Sequence, residues 1–232
     1  MEHFTDFPKL ESPFKRKYFP ISEEDFNKYR RKYNLRSPSL KLVTPEVEEG
    51  YEWVFEDDNT IATEKLDGTN ISISLDPKGN IASVRNRKNP ILLFNIHKVD
   101  TRFVEGLMNA IDRKYLTKCN NDTYFGDLVG PKLQGNMYNL QKHVWYPFFK
   151  AVESLKYKSF HKYERTFDNL SFWFKGYLYS IFYARYNNID LKNTPMAEGV
   201  VFYNFKRKQE GKVYMAKLRR DMFDWYYEDI GI

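Results

Sequence analysis

The residues best suited to do chemistry cluster in four short stretches. The first is TEKLDGTN at 63–70, where Lys65 stands two residues ahead of Asp67 and Gly68 in a strand-like context. Residues i and i+2 of a strand share a face, so Lys65 and Asp67 are expected to point into one space, with Gly68 letting the backbone turn. A free lysine amine has a pKa near ~10.4, so roughly one in 2,500 is neutral at pH 7. That is a handicap of about 4–5 kcal/mol for a nucleophile, which nearby cations or a metal ion would reduce.

The other three stretches supply such groups. YMAKLRR carries Lys217 and Arg219, again at i and i+2, suited to holding a phosphate from one strand face. AEGVVF places Glu198 just ahead of a strand, as a metal ligand or a lysine partner. YFGDLVGPKLQGN puts Asp127 at a strand end before a glycine-containing loop. Each stretch alone is ordinary: K-x-D-G arises by chance, and an Asp beside Gly and Pro is usual in turns. Their joint order is what carries information.

The elements that must position them read as follows. Ser22 caps a helix over 22–34, with acids in its first turn. YEWVF, TIATEKL, NISISL and IASVR read as short strands separated by turn residues. A helix is expected over 98–116, with Val99, Phe103, Leu107, Ala110 and Ile111 on one face. TYFGDLVG (123–130) and HVWYPFF (143–149) read as strands, the second at an edge or bulge because of Pro147. Residues 168–187 read as one aromatic helix, and GVVFYNF and KVYMAKLR as two closing strands joined by the hairpin KRKQEG. This is an α+β order, which disfavours a doubly wound sheet. Residues 1–20 are expected to wrap the surface.

Composition sets the outer bounds. The 232 residues are 42% hydrophobic and 18% aromatic, too apolar for a disordered chain. The net charge of +6 is compatible with a nucleic-acid partner. A single cysteine, Cys119, excludes a disulfide framework and a cysteine-based zinc site, and His3, His97, His143 and His161 have no ligand spacing. No apolar run is long enough to span a membrane and the N-terminus lacks a signal-peptide core, so the expectation is a soluble, intracellular, cytoplasmic protein. Without repeats or a Gly/Ser linker, one continuous domain over 1–232 is expected, with 1–50 as a wrapping segment.

The ordered series resembles the covalent nucleotidyltransferases: ATP-dependent DNA ligases, RNA ligases and mRNA capping enzymes. Within them it is most similar to the RNA ligase branch of the nick-sealing phage and trypanosome editing ligases. EKLDGTN resembles that branch's nucleophile motif EK-x-x-GTN, YFGDLVGPKLQGN its FGE-x-x-GP-x-x-Q-x-N element, and AEGVVF and MAKLRR its last two motifs. The resemblance covers about 60–220 and implies an ATP-grasp-like α+β nucleotidyltransferase domain, with antiparallel sheets flanked by helices around a nucleotide cleft.

It also implies roles. Lys65 would become lysyl-AMP. Glu64 would help hold adenine, Asn70 would sit by the phosphate, and Asp67 and Gly68 complete the motif. Arg85, with Arg87 as the fallback, would lie near the ribose and 5′-phosphate. Asp127 would meet the ribose and, with Glu198, a metal. Phe148 would stack on adenine; a plain core aromatic is an equal reading. Lys217 and Arg219 would hold the α-phosphate. ATP with Mg²⁺ or Mn²⁺ is implied, with RNA as partner at nicks or single-stranded ends.

Two residues depart from the branch: Asp67 replaces the phage enzyme's histidine, and Asp127 a glutamate. The sequence ends 13 residues after Arg219, so a protein partner in place of a C-terminal domain is a further expectation. A minimal DNA ligase and a nucleic-acid-binding module without adenylylation remain alternatives.

Overall fold

A computed structural model describes residues 5–91, 100–116, 121–207 and 214–230. Val99, Cys119, His3, His97 and residues 208–211 of the expected hairpin lie outside them. The elements run β1 (Phe14–Pro20), α1 (Glu23–Tyr29), β2 (Ser39–Val47), α2 (Trp53–Glu56), β3 (Ile61–Lys65), β4 (Thr69–Leu75), β5 (Ile81–Asn86), β6 (Asn89–Pro90), α3 (Thr101–Asp112) and β7 (Thr123–Val129). They continue as β8 (Val144–Pro147), α4 (Phe148–Ser154), α5 (Phe167–Gly176), α6 (Ile181–Asn187), β9 (Gly199–Tyr203) and β10 (Met215–Arg219). Every pairing between these strands is antiparallel, so the fold is α+β as expected.

The chain folds as two compact units, each threaded from three separate segments. Unit 1 takes the chain up to Lys9, Leu66–Lys156 and Ser180–Pro195; unit 2 takes Leu10–Lys65, Tyr157–Tyr179 and Met196 onward.

Unit 1 is built on a five-stranded sheet in the order β6-β5-β4-β7-β8. Ile71, Ile73 and Leu75 of β4 alternate onto one face and pack with Leu128, Trp145 and, from α3, Leu107 and Ala110. Burying each large apolar side chain of this layer contributes roughly 1.5–3 kcal/mol. The opposite face is apolar at one end, where Val129, Val144 and Tyr146 meet Ala151 of α4 and Phe182 of α6. β8 lies at the sheet edge, where Pro147 costs no ladder bond.

Unit 2 holds a three-stranded sheet, β10-β9-β3, and the two-stranded ribbon β1-β2. One face of the larger sheet is sealed: Ala62, Glu64, Val200, Phe202, Ala216 and Leu218 are all buried. Phe160 packs on Phe202 at 5.3 Å. The ribbon is closed by Leu40 and Leu42 against Tyr227 and Ile230.

Residues 14–20 form β1, paired along β2, with most of the strand exposed or half-buried. Three local expectations are corrected. YEWVF is not a strand: Val54, Phe55 and Glu56 donate back to Tyr51 and Glu52, and Thr60 Oγ1 donates to the Trp53 carbonyl at 2.7 Å. The first helix stops at Tyr29 rather than 34. The aromatic stretch 168–187 is two helices. α5 ends at Gly176, Tyr179 bridges to Met196, and Ser180 caps α6 by accepting from the Tyr183 N–H.

Candidate functional site

The sheet of unit 2 aligns the first group of residues by register. Lys65 opposes Gly199, and Gly199 opposes Arg219. One pleat away, Thr63 opposes Val201, and Val201 opposes Lys217. Directly opposed residues share a face, so Lys65, Lys217 and Arg219 project from the side not sealed by the core. A Cβ on Gly199 would lie 2.3 Å from the Leu218 carbonyl oxygen and 2.8 Å from the Arg219 Cα. The motif's glycine is therefore what lets β10 close against β9.

Glu198, just ahead of β9, ties this row together. Its Oε2 accepts from Lys65 Nζ at 2.5 Å, and its Oε1 stands 3.6 Å from Arg219 Nη1. Both partners of the first pair are largely shielded, with side chains 23% and 18% exposed, so solvent screens the pair only partly. The Arg220 N–H donates to the Glu198 carbonyl at 3.0 Å. Arg219 Nη2 pairs with Asp221 at 3.1 Å.

Lys217 makes no side-chain hydrogen bond or ion pair with any described residue. Burial, then the charges of Arg219 and Lys65, hold its ammonium below the ordinary lysine value, with Arg16 adding to this and Glu11 opposing it. Its backbone N–H donates to the Glu11 carbonyl at 2.9 Å, and the Glu11 carboxylate holds Arg16 at 2.8 Å. Arg16 and Glu11 thus border the row. Arg16, Glu11 and Asp221 carry no signal in the sequence beyond their charge.

Glu64 is buried at 2% exposure on the other face of β3 from Lys65. The strand ends at Lys65, so the alternation that was to bring Asp67 beside Lys65 does not reach Asp67. Asp67 belongs to unit 1, where its backbone N–H donates to Tyr138 Oη at 2.7 Å.

In unit 1 the second group lies on the sheet face opposite α3. Asn70 opposes Asp127, and Asp127 opposes Tyr146. Ser72 lies between Arg85 and Phe125. Asp127 is thus inside β7, not at its end. Asn70 Oδ1 and Ser72 Oγ are buried without a hydrogen-bond partner, unusual for polar atoms and suited to a ligand that supplies donors. Gly68 keeps a negative φ, so its role is space: a Cβ there would meet the Leu128 carbonyl oxygen at 2.8 Å and the Asp127 Cβ at 2.9 Å.

Phe148 opens α4, and its ring is covered by Phe7 at 4.7 Å; Phe7 also contacts Phe125 at 5.4 Å. Nothing in the sequence pointed to Phe7. Arg87 sits in the turn after β5 at φ 54°.

The structure therefore brings together Lys65, Glu198, Lys217 and Arg219 in unit 2, and Asn70, Arg85 and Asp127 on one sheet face in unit 1. Among the described residues, no three His, Cys, Asp or Glu side chains form a cluster able to hold a metal ion. Among the described residues, no helix is long and apolar enough to cross a membrane.

The family model of RNA ligases matches residues 58–219, which include both groups. No curated protein matches the chain. Among solved structures, a mutant Naegleria gruberi RNA ligase with ATP and Mn is similar at 17% identity and a TM-score of 0.44, covering 73% of this chain. An apo mutant of the same organism's RNA ligase is similar at 14% identity and a TM-score of 0.47, covering 96% of this chain. The chain spans 51% and 63% of the lengths of those two proteins.

Proposed function

Because the chain belongs to the RNA ligase family, we propose that it is an ATP-dependent RNA ligase whose Lys65 carries AMP between ATP and an RNA 5′-phosphate. The observation that carries this reading is the Lys65–Glu198 contact at 2.5 Å, in a strand row shared with Lys217 and Arg219. A lone lysine on a strand is an ordinary surface residue. A shielded lysine held by a carboxylate, beside two further cations, is arranged for displacement at phosphorus.

The reaction begins when Lys65 Nζ gives up a proton, for which Glu198 is the nearest acceptor. The amine then attacks the α-phosphorus of ATP. The new N–P bond forms as the bond to the β-phosphate oxygen breaks, and pyrophosphate leaves. Lys217 and Arg219 neutralise the charge that accumulates on the α-phosphate oxygens. In the second step an RNA 5′-phosphate oxygen displaces Lys65, leaving AMP on the RNA. In the third, a 3′-hydroxyl attacks that 5′-phosphorus and AMP departs, sealing the strand.

Asn70, Arg85, Asp127 and Phe148 serve as the nucleoside and 5′-phosphate contacts, with Asp67 and Gly68 shaping the motif turn. Glu198, the carboxylate of the unit 2 row, would help to hold Mg²⁺ or Mn²⁺, with phosphate oxygens supplying further ligands. When bound, the ion would neutralise phosphate charge and orient the leaving group.

Intact mass after incubation with ATP tests the reading. One added AMP is expected, and Lys65→Ala should abolish it. A wild-type protein that gains no AMP overturns the proposal. Comparing nicked duplexes with RNA or DNA at the 3′-hydroxyl side then tests the strand preference. Equal sealing of all-DNA nicks would move the assignment to a DNA ligase.

A further inference from the structure

The Glu198 carboxylate is shared unequally. Lys65 holds one oxygen at 2.5 Å, while the Arg219 guanidinium stands 3.6 Å from the other, beyond hydrogen-bond reach. Guanidinium and carboxylate groups normally close to paired contacts of about 2.7–2.9 Å. Something keeps Arg219 back, and the geometry identifies it. Arg219 Nη2 is taken by Asp221 Oδ2 at 3.1 Å.

Asp221 is itself firmly placed. It lies in the 3-10 turn Arg220–Met222, into which β10 runs directly. That turn is pinned by the Arg220 N–H on the Glu198 carbonyl, and by Tyr227 Oη donating to the Asp221 carbonyl at 2.9 Å. The other carboxylate oxygen, Oδ1, is buried and has no partner. Burial pushes this carboxyl above the usual carboxylate range; Arg219 is the strongest of the cations opposing that. A residue serving only to pack this turn would have no need of a half-satisfied carboxylate. Among the described residues, its side-chain ion pair is with Arg219.

We propose that Asp221 is a positioning residue: it holds Arg219 away from Glu198, so that Glu198 stays with Lys65 and the remaining guanidinium N–H groups stay available for phosphate. This rests on the reading of Lys65 as the adenylylated residue. Without Asp221, the guanidinium closes onto Glu198 and competes with Lys65 for it. The row then neutralises itself.

Two measurements test this. The first is independent of ATP chemistry. The Arg219 Nε–H resonance of the full chain is assigned by its loss in Arg219→Lys. It should be distinct in the wild type, move on Asp221→Asn, and return toward its original position in Asp221→Glu. A resonance unchanged by Asp221→Asn overturns the proposal, whether or not the protein takes up AMP.

The second is the rate of AMP uptake. Asp221→Asn should lower the maximal rate about 10- to 100-fold while the KM for ATP changes less than threefold, and Asp221→Glu should recover part of the rate. In Arg219→Ala, adding Asp221→Asn should cost nothing further. Multiplicative losses would show that Asp221 acts independently of Arg219 and would overturn the proposal. A wild type that takes up no AMP defeats the functional reading alone, and the resonance still decides the role of Asp221.

Discussion

The two groups of site residues are built on opposite principles. In unit 2 the side chains are charged and mutually engaged: Lys65 with Glu198, and Arg219 with Asp221. In unit 1 the polar groups are neutral or widely spread, and two of their atoms, Asn70 Oδ1 and Ser72 Oγ, are buried with nothing to bond. Ion pairs between its own members hold the Lys65–Glu198 and Arg219–Asp221 geometry before any ligand arrives, even though Asp221 Oδ1 is left without a partner among the described residues, and this suits groups that must meet a reacting phosphorus within a fraction of an ångström. A face with unmet acceptors gains most from a ligand that fills them, which suits recognition. The contrast assigns rate to one group and affinity to the other, and substitutions can break it.

The largest effect is expected at Gly199. A methyl group there cannot avoid the Leu218 backbone, so Gly199→Ala must push β10 away from β9 and Arg219 out of line with Lys65. Overpacking of this kind costs about 1–3 kcal/mol. Misplacement by an ångström costs roughly 100-fold in rate. AMP uptake should fall about that far while the KM for ATP barely changes. A melting curve gives the stability cost. A variant with a normal rate would mean that the strand row does not set the reaction geometry.

The shared face of Lys217 and Arg219 was legible because they alternate with Ala216 and Leu218, a pattern a one-sided strand explains, whereas the pairing of β3 with β9 was not. The polar face of β4 was legible for the same reason. Other features were not. YEWVF has strand composition, yet consecutive Trp53 and Val54 are both buried, as a turn of helix allows and a one-sided strand does not. The break between α5 and α6 left a local trace in Gly176 and Ser180, outweighed by an apolar spacing that runs through both helices. The interleaving of the two units left none, because each is completed by segments distant in the chain. Asp221 follows Arg219 by two residues, but its role depends on the turn after β10, which nothing in the local composition fixes.

Lys217 sharpens the contrast within unit 2, because it is charged, partly buried and without a side-chain partner among the described residues. Its lowered pKa means that the unfolded chain binds more protons than the folded one between the folded value and the free value near ~10.4. Stability therefore rises with pH across that window. Below the window the buried charge disfavours folding. Lys217→Met should accordingly raise the melting temperature at pH 7 while slowing AMP uptake about 10- to 100-fold. Lys217→Arg should keep the charge and weaken the alkaline fall in ATP affinity expected of the wild type from the lowered Lys217 pKa. If Lys217→Met melts no higher than wild type, the ammonium is not penalised in the fold and its position on the row has been misread.

The smallest effect belongs to unit 1 and tests whether affinity lives there. Phe7 meets the aromatic border of the polar face through Phe125 and Phe148. If Phe148 stacks on adenine, Phe7 is the ring that keeps it from tilting. An aromatic pair is worth about 0.5–1.5 kcal/mol beyond its buried area, which corresponds to roughly two- to twelvefold in affinity. Phe7→Ala should therefore raise the KM for ATP within that range and leave the maximal rate of AMP uptake alone. Phe7→Leu, which keeps bulk but not the ring geometry, should fall between. A lowered rate with unchanged KM would dissolve the division between the two units. Unchanged kinetics in both variants would return Phe148 to the core as a packing residue and leave the adenine to another partner on the same face.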